Sequence, residues 1–269
     1  MGKRKRVAVE RYHDRVAARY DESYDDAYWQ WHDALTWDHI KPHLPTRHGA
    51  AVLDLGCGTG TWAARLSKSG YAVTCVDISA GMIERARRKL AERNDARAEF
   101  VQAELCDLSG LPPDHYALAV AMGDPIGCTA SPPKALKQIH RVLQAGGVLI
   151  ATFDNRLNAL DFYMQAGDPL RLQEFLRTGR THWLTRDADE RFEIHTYTPS
   201  QLTRLLVGAR FEVIDMIGKT VLPMRAHRSR LPRDAADGRA WARIEKSLCR
   251  DAAAMGRASH LQIVAKRLP

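Results

Sequence analysis

The sequence predicts an α/β fold built on a mostly parallel sheet, and three observations carry that prediction. Short apolar runs alternate with helical patterns from about residue 50 to residue 153. One of those runs passes into three glycines and then directly into a helical pattern. The next run ends at an acid, Asp77. Strands that alternate with helices at this spacing need crossover connections, and a crossover makes neighbouring strands parallel.

Taken in order, residues 8–47 are rich in charge and aromatic rings (Tyr12, Tyr20, Tyr24, Tyr28, Trp29, Trp31 and Trp37), with apolar spacings nearer helical than alternating. They are expected to form helices ahead of the sheet. Strands are predicted over 51–55, 72–76 and 99–101, with helices at 60–69 and 79–93 between them. A further apolar run covers 116–122. The pattern at 133–144 puts Leu136, Ile139 and Leu143 on one helical face, with Gly146-Gly147 as its stop and a strand at 148–153. From 155 to about 193 the pattern changes to one long helix and a polar segment with His182, Trp183 and Arg186, which reads as an insertion. Thr198-Pro199-Ser200 then opens a capped helix, and a strand follows at 211–217. Residues 218–233 are rich in Pro and Arg and read as loop. A helix near 235–255 and a strand at 261–265 complete the pattern, and local sequence does not fix that strand's direction.

The 269 residues, 45% of them hydrophobic, suffice for one core with an added cap. The net charge of +8 is spread among acids and bases along most of the chain, which implies a solvated surface of mixed sign. Only Lys3-Arg4-Lys5-Arg6 is densely basic, and it is expected to be a frayed terminus. Five cysteines, an odd number with no C-x-x-C, point to a reduced cytoplasmic protein without structural zinc. No apolar stretch approaches the ~18 residues of a membrane span, and the first residues lack the apolar centre of a secretory signal.

The chemistry concentrates in Val52-Leu53-Asp54-Leu55-Gly56-Cys57-Gly58-Thr59-Gly60. Glycines remove the Cβ atoms that keep a ligand away from backbone, and the following helix offers unpaired N–H groups to a negative group. Asp77, at the end of the next strand, is placed to accept hydrogen bonds from both hydroxyls of a ribose. A dinucleotide fingerprint needs glycine at position 61, where this chain has Thr61.

The G-x-G-x-G loop behind Asp54 resembles the first signature of the class I S-adenosylmethionine-dependent methyltransferases. Val73-Thr74-Cys75-Val76-Asp77-Ile78-Ser79 resembles their second. The resemblance spans about 50–153, and more loosely the rest. It implies a Rossmann-like methyltransferase fold, with a mostly parallel seven-stranded sheet, helices on both faces and a helical cap. It also implies S-adenosyl-L-methionine as cofactor, with S-adenosyl-L-homocysteine as product. By the same resemblance, Gly56, Gly58 and Gly60 contact the amino-acid part of the cofactor, Asp54 its amino group, Asp77 the ribose and Ile78 the adenine. In the third region Ala103-Glu104 stands where the family has Gly-Asp, so Glu104 and the Leu105 backbone are assigned to the adenine, with Asp107 competing. The fourth region has no opening acid, and Ala121, Met122 and Gly123 are placed beside the methionine part by position only. Tyr20 is expected to meet the cofactor from the N-terminal helices, with His32 as a second lid residue.

Methyl transfer gains most from aligning the acceptor and excluding water, and a base is sometimes needed. The candidates are Asp124, His195 and Tyr197, although Asp124 before Pro125 also suits a turn and His195 a strand pairing. Gly123-Asp124-Pro125-Ile126-Gly127 lacks the second proline and the aromatic of enzymes that methylate exocyclic nitrogens of nucleobases, which disfavours that activity. The expected organisation is an N-terminal helical lid over 1–47 and a methyltransferase domain over 48–269 with a cap insertion at about 155–193. The expected acceptor is a small-molecule metabolite methylated on O, N or C, and the working unit a monomer or homodimer. RNA or protein acceptors are the less favoured alternative, nucleic acid being suggested only by the basic charge. A cofactor-binding protein of this fold without methyl transfer is the third reading.

Overall fold

The apolar runs become strands because most of their residues are buried on both sides, as strands in the middle of a parallel sheet are. A computed structural model describes residues 2–92, 98–182, 191–225, 227 and 235–269; Trp183, Arg186 and much of the 218–233 loop lie outside them. The strands are β1 (Ala51–Leu55), β2 (Ala72–Asp77), β3 (Glu99–Gln102), β4 (Tyr116–Ala121), β5 (Leu143–Asp154), β6 (Arg180–Thr181), β7 (Ile194–His195), β8 (Phe211–Lys219) and β9 (His260–Arg267). Seven of them form one sheet in the order β3-β2-β1-β4-β5-β9-β8, and β6 pairs with β7 apart from it. β1 to β5 are parallel, whereas β9 runs antiparallel to both β5 and β8.

The helices are α1 (Gly2–Val16), α2 (Ala27–Ile40), α3 (Thr61–Lys68), α4 (Ala80–Ala91), α5 (Pro132–Val142), α6 (Leu160–Ala166), α7 (Pro169–Thr178), α8 (Pro199–Gly208), α9 (Ala235–Leu248) and α10 (Ala252–Met255). Alternation along each strand divides the core between the two faces. Val52, Val73, Leu118, Ile150 and Val264 pack with α3, α4 and Ile40 of α2. Leu53, Leu55, Ala119, Leu149 and Phe153 pack with Leu136 and Ile139 of α5 and Leu202 and Leu206 of α8. Ser79 caps α4 by accepting from the Met82 N–H at 3.0 Å. Thr198 and Gln201 form a capping box at α8. No described helix is long and apolar enough to cross a membrane.

Four local expectations differ from the structure. The basic start is helical, as the first turns of α1, and further along α1 buries Ala8 and Val9 against Phe192 and Ile194. Gly146-Gly147 does not stop α5, which ends at Val142 because Leu143 is already extended. The glycines belong to a bulge in β5, where the register passes from Tyr116↔Leu143 to Leu118↔Val148, and a Cβ on Gly147 would lie 2.8 Å from the Gln144 carbonyl. The single long helix after 155 is a 3-10 turn followed by α6 and α7. Gly167 turns left-handed at φ +64°, Asp168 caps α7 through the Arg171 N–H, and Pro169 starts it. The 235–255 helix breaks at Asp251, whose carboxylate accepts from the Ala253 and Ala254 N–H groups and begins α10.

Candidate functional site

At the C-terminal ends of β1 and β4 the sheet order reverses, with β2 on one side and β5 on the other, and such a switch point opens a crevice. The β1–α3 loop crosses it with Gly56, Gly58 and Gly60 at φ +64°, +53° and +83°, a left-handed region costly to any residue with a Cβ. Each glycine also answers a different neighbour. A Cβ on Gly56 would stand 2.4 Å from Pro125 Cβ in the loop after β4. One on Gly60 would press on Leu90 and Ala86 of α4 at 3.0–3.1 Å, whereas Gly58 has only Tyr20 Cε1 within 4 Å, at 3.9 Å.

Asp77, buried at the end of β2, accepts the Gly58 N–H at 2.9 Å on Oδ2 and the Ser79 N–H at 2.9 Å on Oδ1. Burial pushes its carboxyl up from the ordinary range, and the Ser79 N–H, the His13 ring and the Gly58 N–H hold it back. Asp54 is buried without such help. Neither carboxylate oxygen meets a hydrogen-bond partner among the described residues. Burial raises its pKa to about 7, with the Asp77 charge adding to the rise.

The cleft here encloses about 720 Å³ of empty space, its open mouth included. Gly56, Gly58, Asp77, Ile78, Glu104, Leu105 and Met122 line it from the sheet side, and Tyr20 lines it from the N-terminal segment. Asp107 is exposed and accepts the Ser109 N–H at 3.3 Å, so Glu104 is the acid of that region facing the cleft. α1 adds Arg6, Val9 and His13, which the sequence reading missed. Their i, i+3, i+7 spacing, one face of a helix, was the available signal. Two carboxylates clasp this segment down. Asp14 Oδ1 accepts the Ser79 hydroxyl at 2.5 Å and the Gly81 N–H at 3.0 Å, while Asp21 accepts the Thr59 hydroxyl at 2.5 Å and pairs with Lys89 at 2.8 Å.

Other expected site residues stand off the wall. Asp54 lies behind the glycine loop in β1, and Gly60 faces α4. Asp124, at φ +59° and buried, accepts the Gly127 N–H at 2.9 Å and the Asp154 N–H at 3.2 Å. Its own N–H and that of Gly123 donate to the Thr152 hydroxyl, so the carboxylate serves the turn and ties the loop to β5. His195, in β7, donates its backbone N–H to Gly127 O at 3.0 Å, and its ring lies 3.9 Å from Glu193. Tyr197 sets its ring edge-on to Phe153 at 5.7 Å, with its hydroxyl pushed well up by burial and by Asp124. Neither residue lines the cleft. His32 sits on α2 against His260, also off the cleft wall.

Comparison with known proteins fits this geometry. Residues 52–147 match a family model described as a methyltransferase domain. A demethylmenaquinone methyltransferase from Clavibacter sepedonicus is 38% identical over 127 residues, which is 45% of this chain and 50% of that one. The chain spans about half the length of the first curated relatives it matches. Among solved structures, an S-adenosylmethionine-dependent methyltransferase from Methanosarcina mazei superposes with a TM-score of 0.59 at 22% identity, covering 86% of this chain and 97% of that one. A [4+2]-cyclase superposes with a TM-score of 0.59 at 23% identity, covering 88% and 81%.

Proposed function

We propose, on the premise that this chain carries the domain and fold of the class I S-adenosylmethionine-dependent methyltransferases, that it binds S-adenosyl-L-methionine in the cleft and methylates a small-molecule metabolite on O, N or C. The observation that carries this reading is the meeting of Gly56, Gly58, Asp77, Ile78 and Glu104 in one cleft, with the unpartnered Asp54 carboxylate behind the loop. A buried carboxylate without a partner calls for a cation, and the cofactor's ammonium answers it. Asp77 has lone pairs left for ribose hydroxyls after its two backbone bonds. Ile78 and Leu105 flank the adenine, and Glu104 accepts from its amino group.

When bound, the cofactor supplies a methyl carbon made electrophilic by a positively charged sulfur. The chain's own contribution is alignment and exclusion of water. α1 and Tyr20 close the cleft, held by Asp14 and Asp21, and Met122 and Gly123 border it near the methionine end. Residues 1–47 act as this lid and about 155–193 as a cap. A lid clasped over the cleft favours a compact acceptor over RNA or protein, and all five cysteines stand as thiols, in keeping with a cytoplasmic setting.

The fold also occurs in a [4+2]-cyclase, so it does not fix the reaction. Formation of S-adenosylhomocysteine with an added acceptor separates methyl transfer from such catalysis. Calorimetric titration with S-adenosylmethionine tests the site, and equal affinity for the wild type and Asp77→Ala rejects it.

A further inference from the structure

One face of α1 runs along the cleft, where Arg6, Val9 and His13 line it at i, i+3 and i+7. A rise of ~1.5 Å per residue spreads them over about 10 Å of helix, a span comparable with an adenosine. Two contacts fix which residue of that face stands where. Asp14 anchors the helix through Oδ1, which accepts the Ser79 hydroxyl at 2.5 Å and the Gly81 N–H at 3.0 Å, just beyond Asp77 and Ile78 in the chain. Val9 belongs to a buried cluster with Ala8, Phe192 and Ile194, and Ile78 packs against that cluster. Val9 therefore stands at the adenine end of the cofactor's path. His13, one turn nearer the Asp14 anchor, stands at the ribose end beside Asp77.

The His13 ring is set up for one further hydrogen bond at that point. Its Nδ1 lies 2.8 Å from the Val9 carbonyl, one turn back in the helix. A carbonyl only accepts, so Nδ1 holds the proton and Nε2 is the open end of the ring. Tyr12 meets the ring edge-on at 5.0 Å and the Phe192 ring lies 6.2 Å away, which limits how far it turns. Nε2 has no hydrogen-bond partner among the described residues, although His13 is half-buried. Asp77, in the same cleft, keeps lone pairs on both oxygens after taking the Gly58 and Ser79 N–H groups. The two side chains lie close enough to feel each other: burial lifts the Asp77 carboxyl, and the His13 charge is among the influences that hold it down. A vicinal diol, whose hydroxyls each donate and accept, answers both groups at once.

We propose that His13 is a cofactor-binding residue of the lid: its Nε2 meets one ribose hydroxyl of S-adenosylmethionine while Asp77 holds the other, so that the ribose bridges α1 and β2. The inference rests on the methyltransferase reading of the cleft. With the ring neutral, the hydroxyl donates to Nε2. With the ring protonated, Nε2–H donates to the hydroxyl oxygen. Both states keep the bridge. Closure of α1 then depends on a ribose, not a deoxyribose, in the cleft, and the cofactor's departure is tied to the movement of α1.

S-adenosylhomocysteine and its 2′-deoxy and 3′-deoxy counterparts, titrated calorimetrically into the full chain, test the bridge. The wild type is expected to bind both deoxy ligands more weakly than the parent. His13→Ala is expected to bind the parent about tenfold more weakly than the wild type, to be nearly indifferent to the loss of one hydroxyl and to remain sensitive to the loss of the other. His13→Gln, whose amide reaches toward the same hydroxyl, recovers part of the affinity. The ratios between ligands are read within each protein, so a change in stability does not enter them. A His13→Ala protein that binds S-adenosylhomocysteine as the wild type does, or that loses the same factor for all three ligands, overturns the inference. Failure of S-adenosylhomocysteine to bind the wild type removes the methyltransferase reading and this inference together, whereas binding without the coupling removes the inference alone.

Discussion

The Gly58 N–H donates to Asp77 Oδ2 at 2.9 Å, so the acid assigned to the ribose is also the clasp of the glycine loop. Asp77→Ala is therefore predicted to weaken S-adenosylmethionine binding by at least about tenfold. It is also predicted to lower stability by about 1–3 kcal/mol, because the buried Ser79 N–H and the half-buried Gly58 N–H lose their acceptor. Asp77→Asn, which keeps one acceptor oxygen, recovers more of the stability than of the affinity. Urea titration beside calorimetry reads both quantities. Losses that track each other in the two variants would contradict the double role.

Gly56 and Gly60 separate binding from packing. Both require a left-handed backbone, so alanine at either costs about 1–2 kcal/mol before any contact is counted. The Gly56→Ala methyl drives into Pro125, a cleft-lining residue, and is predicted to weaken cofactor binding strongly. That of Gly60→Ala meets Ala86 and Leu90 of α4, and is predicted to lower stability while the folded protein binds the cofactor nearly as before. Thermal melts and binding isotherms on the two variants distinguish these outcomes.

Asp54 links the site to pH. Its folded pKa of about 7 lies above the ordinary 3.8, so the folded state keeps a proton that the unfolded state has already lost. Stability of the cofactor-free protein is thus predicted to fall as pH rises from about 4 to 7 and to level off above, by about 4 kcal/mol at most. Asp54→Asn removes that slope. A cofactor ammonium beside Asp54 favours the ionised form, so binding near pH 6 releases a proton, seen as a heat that varies with the buffer's ionisation enthalpy. A buffer-independent heat in the wild type would count against the pairing.

The sequence made this half of the site readable because its chemistry is local. Gly56, Gly58 and Asp77 fall within one β-α-β stretch, where spacing along the chain is nearly spacing in the fold. His13 and Arg6 were not read, since the pattern of α1 shows a face but not what the face covers. The direction of β9 was equally out of reach, because it depends on pairing with β5 and β8, far away in the chain. At Gly167-Asp168-Pro169 the stop and start signals were present, and the apolar periodicity running through them outweighed what they say about a break. Gly146-Gly147 looked like a helix stop because a bulge and a helix end ask for the same residue.

Asp14 and Asp21 hold the N-terminal segment through hydroxyls and backbone N–H groups near the glycine loop and the start of α4. Asp14→Ala is predicted to speed S-adenosylhomocysteine release severalfold, with a smaller effect on overall stability, and Asp14→Ala with Asp21→Ala to speed it further. Stopped-flow tryptophan fluorescence follows the release. Rates unchanged in the double variant would show that the cofactor leaves by a route that does not lift α1.

β9 follows every other strand in the chain, yet it stands inside the sheet, between β5 and β8. On a ribosome the other six strands emerge first, and until residues 260–267 arrive β5 and β8 each hold an open edge of unpaired backbone. One late insertion closes both edges. It also brings His260 beside Asp154 and Gln262 beside Lys219, so these polar pairs form only in a finished sheet. Synthesis halted short of this strand leaves a molecule with a cofactor cleft and two adhesive borders, a form that chaperones and proteases are suited to recognise.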